Sequence, residues 1–134
     1  MSQSGQSEIG RIAWVDLTVK RAGRLRDFYR EVVGWTSSEV DMGEYSDYNM
    51  NLPGSGETVA GVCHARGVNA GLPPAWLIYI TVRDLEESLN RCVDLGGFLV
   101  SGPKNMAGQG RYCVIEDPAG AVVALFEPSA EPPA

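Results

Sequence analysis

Apolar and polar side chains alternate from Arg11 to Val19. Ala13, Val15, Leu17 and Val19 make one wholly apolar face, and Ile12, Trp14, Asp16 and Thr18 make a mixed one. Period two with β-branched residues predicts a strand, with its apolar face under a helix and its mixed face lining something else. The period then changes. Leu25, Phe28, Tyr29, Val32 and Val33 follow three-four spacing, which predicts a helix over Arg21–Val33 with one buried face. Gly34 is placed to cap its C-terminus. Shorter strands are predicted over Trp35–Val40, Tyr45–Leu52 and Thr58–Arg66. Turn sequences at Asp41-Met42-Gly43 and Pro53-Gly54-Ser55-Gly56 separate them.

The second half repeats this order at an ungapped offset of 63 residues. Trp14-Val15-Asp16-Leu17-Thr18-Val19-Lys20 lies over Leu77-Ile78-Tyr79-Ile80-Thr81-Val82-Arg83, and Gly34-Trp35 lies over Gly97-Phe98. A strand over Ala75–Val82 precedes a helix from Asp84 to about Leu95, with Asp84 and Glu87 at capping-box spacing. Gly96-Gly97 stops the helix. Strands follow at Phe98–Val100, Gly110–Glu116 and Ala121–Glu127, the last two joined by the turn Asp117-Pro118-Ala119-Gly120. The predicted fold is α+β, two tandem βαβββ modules over residues 10–66 and 75–128. Residues 67–74 read as a linker, and 1–9 and 129–134 as flexible ends.

Composition narrows the partners. A net charge of −6 argues against nucleic acid, whose phosphates need a basic face. No apolar run reaches membrane-spanning length, and the polar start lacks a signal peptide's apolar stretch. A cytoplasmic protein is expected. Three cysteines without CxxC spacing point to neither a disulfide framework nor a zinc site.

The stretch Asp27-Phe28-Tyr29-Arg30-Glu31-Val32-Val33-Gly34-Trp35, the doubled module, and Glu116-Asp117-Pro118-Ala119-Gly120 before the last strand resemble the vicinal oxygen chelate superfamily. It includes glyoxalase I, extradiol dioxygenases and bleomycin-resistance proteins. The resemblance implies a cup-shaped mixed sheet with helices on its outer face, and a homodimer. It also places the metal ligands of the enzymatic members at Trp14, Gly61, Leu77 and Ala124. None of these side chains is a ligand for a divalent metal. The expectation is therefore a metal-independent small-molecule-binding protein without cofactor. The alternative is a lyase, isomerase or dioxygenase with an atypical metal site or Asp/Tyr chemistry. Asp16 and Tyr79, partners in the repeat, are the candidate acid–base pair. A structural hydrogen bond between them is the competing reading.

Trp14, Asp16, Tyr48, Met50, Cys63, Leu77, Tyr79, Tyr112, Ala124 and Phe126 are expected to line the cavity, and such a lining suits a flat, apolar ligand. Arg66, Asn69 and Arg111 are expected at its mouth. The single histidine, His64, and its repeat partner Glu127 point off this face by strand alternation.

Overall fold

The alternating segment forms strand β1 (Ile12–Val19), and the three-four segment forms helix α1 (Ala22–Val33). Strands β2 (Thr36–Asp41), β3 (Ser46–Asn51) and β4 (Thr58–His64) complete the first βαβββ unit. After a short 3-10 turn at Gly67–Asn69 come β5 (Trp76–Thr81), α2 (Leu85–Asp94), β6 (Phe98–Met106), β7 (Gly110–Glu116) and β8 (Val122–Pro128). This computed structural model describes residues 8–106 and 108–129. The expected flexible ends fall outside it, except for residues 8, 9 and 129.

The chain divides into two compact units, residues 14–76 and residues 77–129 with 8–13. The residues ahead of Trp14 belong with the second unit because their backbone pairs with Thr81. The Gly10 N–H donates to the Thr81 carbonyl (2.8 Å), and the Thr81 N–H donates to the Arg11 carbonyl (2.9 Å).

In the first unit the strands lie in the order β2-β3-β4-β1, with β1 and β4 parallel and the other pairs antiparallel. Helix α1 covers one face. Ala22, Met50, Ala60 and Val62 form the buried centre, with Val15, Val19, Leu25, Tyr29 and Tyr48 packed around it. The wholly apolar side of β1 thus goes under the helix. Trp35 and Trp76 close the cluster. The Trp76 indole N–H donates to the Tyr29 hydroxyl at 3.1 Å, so both half-buried rings have their polar tips satisfied. Gly34 ends α1 in the left-handed region (φ +90°), its N–H bonded to the Arg30 carbonyl.

In the second unit the order is β5-β8-β7-β6. Helix α2 covers one face through Leu85, with Cys113, Ile115 and Leu125 beneath it. Asp84 caps α2 by accepting the Glu87 N–H at 3.0 Å. At Gly97 a Cβ would lie 2.7 Å from both the Cys92 Sγ and the Glu116 carbonyl oxygen. Only glycine lets the chain leave the helix this close to β7. Asp117 closes the β7–β8 turn by accepting the N–H groups of Ala119 (2.8 Å) and Ala121 (3.0 Å).

The repeat persists as strand register. Asp16, Leu17 and Thr18 pair with Gly61, Val62 and Cys63, and 63 residues on, Tyr79, Ile80 and Thr81 pair with Ala124, Leu125 and Phe126. The third strands break the ungapped alignment. Tyr48 pairs with Val62 and Met50 with Ala60, whereas Cys113 pairs with Leu125 and Ile115 with Val123. The offset for β7 is therefore 65. The longer β6 absorbs the difference. It continues through Gly102 and Pro103, which read as breakers, by register shifts between Leu99 and Ser101 and between Ser101 and Lys104.

Candidate functional site

Each unit has one sheet face under its helix and one face without it. On the helix-free face of the first unit lie Trp14, Asp16 and Thr18 of β1 beside Gly61 and Cys63 of β4. A Cβ at Gly61 would be 3.0 Å from the Trp14 Cζ2 and 3.3 Å from the Asp16 Cβ. The missing side chain is what lets the indole lie across β4. The Trp14 Nε1–H donates to the Asp16 Oδ2 at 3.2 Å, which fixes the ring and gives a buried carboxylate one of its donors. Asn49, paired with Gly61, shares this face. Sequence reading missed it, although the apolar Tyr48 and Met50 on either side were signal enough to turn it there.

On the helix-free face of the second unit lie Leu77, Tyr79, Thr81, Tyr112, Val114, Ala124 and Phe126, joined by the pairs Tyr79–Ala124, Thr81–Phe126, Tyr112–Phe126 and Val114–Ala124. All seven are buried. The Tyr79 and Tyr112 ring centroids are 5.7 Å apart with the planes tilted by 53°. Val114 is the further member that the sequence reading did not name.

Two expected lining residues are elsewhere. Tyr48 and Met50 pack against α1. Strand β3 alternates as β1 does, and its apolar side goes to the helix. Tyr48 ends beneath the Arg26 guanidinium, 4.6 Å from the ring centre. Arg111 lines an open pocket with Gln109, Glu127 and Ser129, and its guanidinium is tied to carboxylates. It makes two 2.7 Å bonds to Glu86 on α2 and a third, 3.0 Å long, to Glu127. This bidentate pair holds the Glu86 carboxyl below its ordinary range and the guanidinium above its own.

The other two mouth candidates lie along the segment between β4 and β5. Arg66 stacks over Tyr45 at 4.0 Å, 4.0 Å from the Glu44 carboxylate. Asn69 donates its N–H to the Arg66 carbonyl and accepts the Leu72 N–H. His64 is held within the first unit. Asp47 Oδ1 accepts its backbone N–H at 2.8 Å and lies 3.3 Å from its Nδ1, with the Tyr45 ring edge-on. Glu127 is held within the second, where it also accepts the Leu85 N–H at 2.8 Å.

No side chain at the four positions that the resemblance assigns to metal ligands can bind a divalent ion. Trp14, Gly61, Leu77 and Ala124 offer an indole, no side chain, and two aliphatic groups. These residues do not fit a metal. Asp84, Glu86 and Glu127 bring carboxylate oxygens within 4.8 Å of one another. The Arg111 guanidinium supplies the positive charge there.

Burial pushes the Cys113 thiol up to about 11. Folding favours the protonated thiol, so this contribution is complete below the ordinary thiol range and fades as pH rises toward about 11. At pH 8, Cys113 should react with a thiol reagent about 100-fold more slowly in the native protein than in denaturant. Site-resolved mass spectrometry of the labelled protein measures this, and equal rates would count against the buried position.

Two βαβββ units, each with one helix on one face of a four-stranded mixed sheet, define a class of fold. Residues 11–125 match the sequence model of the Glyoxalase/Bleomycin resistance protein/Dioxygenase superfamily. The chain belongs to this family. It is 27% identical over 123 residues to the candidate glyoxylase CFP32 of Mycobacterium tuberculosis, covering 92% of this chain and 46% of that protein. It is 28% identical to the anthracycline biosynthesis protein DnrV of Streptomyces peucetius, covering 87% and 46%. The chain thus spans about half the length of these curated relatives. Methylmalonyl-CoA epimerase of Mycobacterium tuberculosis shares the fold with a TM-score of 0.52 at 17% identity, covering 93% of this chain and 95% of that one. A methylmalonyl-CoA epimerase in complex with methylmalonyl-CoA gives 0.56 at 15%, covering 94% and 100%. Among the described residues no helix is long and apolar enough to cross a membrane.

Proposed function

We propose that this chain is a metal-independent small-molecule-binding protein, and that its ligand lies on the helix-free faces of the units. The observation that carries the reading is the make-up of those faces. The second unit's face is aromatic and apolar, the first unit's carries the buried Asp16 carboxylate beside Trp14, and the four positions that the resemblance assigns to metal ligands hold no donor. On the second unit's face Tyr79, Tyr112 and Phe126 would contact a flat, largely apolar ligand; on the first unit's face Asp16 would take a hydrogen bond from a ligand lying against Trp14. DnrV is named for anthracycline biosynthesis, and anthracyclines are flat polycyclic aromatics, so the relatives favour the same ligand class. The reading includes a cytoplasmic homodimer. The second reading is an enzyme that uses Asp16 as general base or Tyr79 as general acid. Both groups are buried, and buried ionisable side chains are enriched at catalytic sites.

A thermal-shift and intrinsic-fluorescence panel tests the proposal, using polycyclic aromatic phenols and acyl-CoA esters with and without chelator. Trp14 lies on the proposed face, so a bound aromatic should quench its emission. The expected result is micromolar binding of at least one aromatic, unchanged by chelator. Stoichiometric metal by elemental analysis, with binding lost on its removal, would overturn metal independence. Absence of binding across the panel would overturn the ligand class.

A further inference from the structure

The register that pairs Tyr48 with Val62 brings the start of β3 beside the end of β4, and the parallel register of β1 pairs Val19 with His64. The one histidine of the chain thus sits at this corner of the first unit, off the helix-free face. The Asp47 Oδ1 lies 3.3 Å from its Nδ1 and also accepts its backbone N–H at 2.8 Å. An ionised carboxylate only accepts, so Nδ1 carries a proton and Nε2 is the nitrogen left for a ligand. Among the described residues Nε2 has no hydrogen-bond partner. The His64 and Asp47 side chains are 24% and 13% exposed, so the pair can be reached. Two tyrosine rings wall the imidazole, Tyr45 edge-on at 5.5 Å and Tyr48 tilted at 6.1 Å. Each carries a guanidinium, Arg66 on Tyr45 and Arg26 on Tyr48. Arg26 is tied to Asp27 at 2.8 Å. Arg66 is half exposed and, among the described residues, meets only the Glu44 carboxylate, 4.0 Å away and itself 92% exposed. Lys20 and Arg21 follow directly on Val19, and Arg24 lies in the first turn of α1. All three are exposed, and among the described residues none of them forms an ion pair. A chain of net charge −6 therefore turns a locally positive corner to solvent.

We infer that this corner is a second ligand site, built to hold a small aromatic oxyanion between His64, Arg66 and the two tyrosines. It is separate from the helix-free faces and does not rest on the ligand proposed for them. The Arg66 fork matches the paired oxygens of a carboxylate or a phosphate, and its own carboxylate contact is too long and too exposed to occupy it. The imidazolium donates from Nε2 to the same oxyanion, with Asp47 balancing its charge from the Nδ1 side. Tyr45 and Tyr48 offer ring edges and faces to the aryl body. Asp47 is a positioning residue, because it sets which imidazole nitrogen is free. Its bond to the His64 backbone N–H already ties β3 to β4. The second contact, to the ring, is one that a purely structural pair does not need.

A single histidine gives a single imidazole signal, so proton–carbon NMR of the full chain reads this site by itself. Benzoate, phenyl phosphate and benzyl alcohol are titrated in turn at constant ionic strength. The expected result is a saturable shift toward the protonated imidazole with both acids, at a dissociation constant on the order of 1 mM, and none with the alcohol. Arg66→Gln should weaken acid binding about tenfold. Arg91→Gln removes the same charge from the exposed side of α2 and should leave binding unchanged. Circular dichroism confirms that both variants are folded. Binding of one acid and not the other would support the site and name its head group. An equal shift with benzyl alcohol, no shift with either acid, or equal weakening by the two arginine variants would overturn it. Quenching of Trp14 by the acids with the His64 signal unmoved would place them on the helix-free face, and would overturn this site while supporting the other.

Discussion

Replacing Leu85 with alanine should lower unfolding stability by about 3 kcal/mol. Leu85 is the first residue of α2, has no exposure, and packs on Cys113, Ile115 and Leu125. Its backbone N–H is anchored to Glu127 at 2.8 Å. Alanine keeps that anchor and the Asp84 cap, so helix α2 stays where it is and the space left by the side chain remains open. The cost is then the lost burial plus an uncollapsed cavity. Leu85→Met keeps the volume and should cost less than about 1.5 kcal/mol. Urea unfolding followed by far-UV circular dichroism measures both. A loss below about 1 kcal/mol for the alanine variant would mean that α2 settles onto β7 and β8 despite its anchors.

Strands and helices were legible because their signals are local. The apolar side of β1 goes to α1, Gly34 caps, and Asp84 caps, all as the side-chain pattern implies. The β1–β4 pairing recurs at the predicted offset as β5–β8. What failed was information carried by pairing and not by pattern. Gly102 and Pro103 look like the end of a strand, yet shifts against β7 carry β6 past them, which no single-chain periodicity encodes. The 65-residue offset of β7 arises in the same place. The misplacement of Tyr48 and Met50 had a different cause. The rule used for β1, that the apolar side of a half-polar strand packs on the helix, puts both on α1. Aromatic character suggested ligand contact where the alternation already gave the face. Arg111 was placed by its loop, whereas a bidentate bond to Glu86, 25 residues distant in sequence, decides where it lies. The helix-free positions of β1, β5 and β8 needed only parity, and those residues share a face as expected within each unit.

Asp16 separates binding from structure, because two substitutions should split its roles. Its carboxylate is buried and accepts the Trp14 indole N–H at 3.2 Å. Asp16→Ala deletes the acceptor and leaves that N–H unsatisfied, so stability should fall by about 2 kcal/mol. Asp16→Asn keeps an oxygen at the same place and should cost less than about 1 kcal/mol. What asparagine cannot keep is the negative charge. If Asp16 takes a hydrogen bond from the ligand, Asp16→Asn should weaken binding about tenfold with the fold intact, since a charge-assisted bond becomes a neutral one. If Asp16 is instead a general base, the same variant should bind normally and lose at least about 100-fold in turnover. Melting curves beside ligand titrations distinguish these outcomes. Should Asp16→Asn melt as early as Asp16→Ala, the charge itself would be structural, and the buried carboxylate would belong to the fold and not to the ligand.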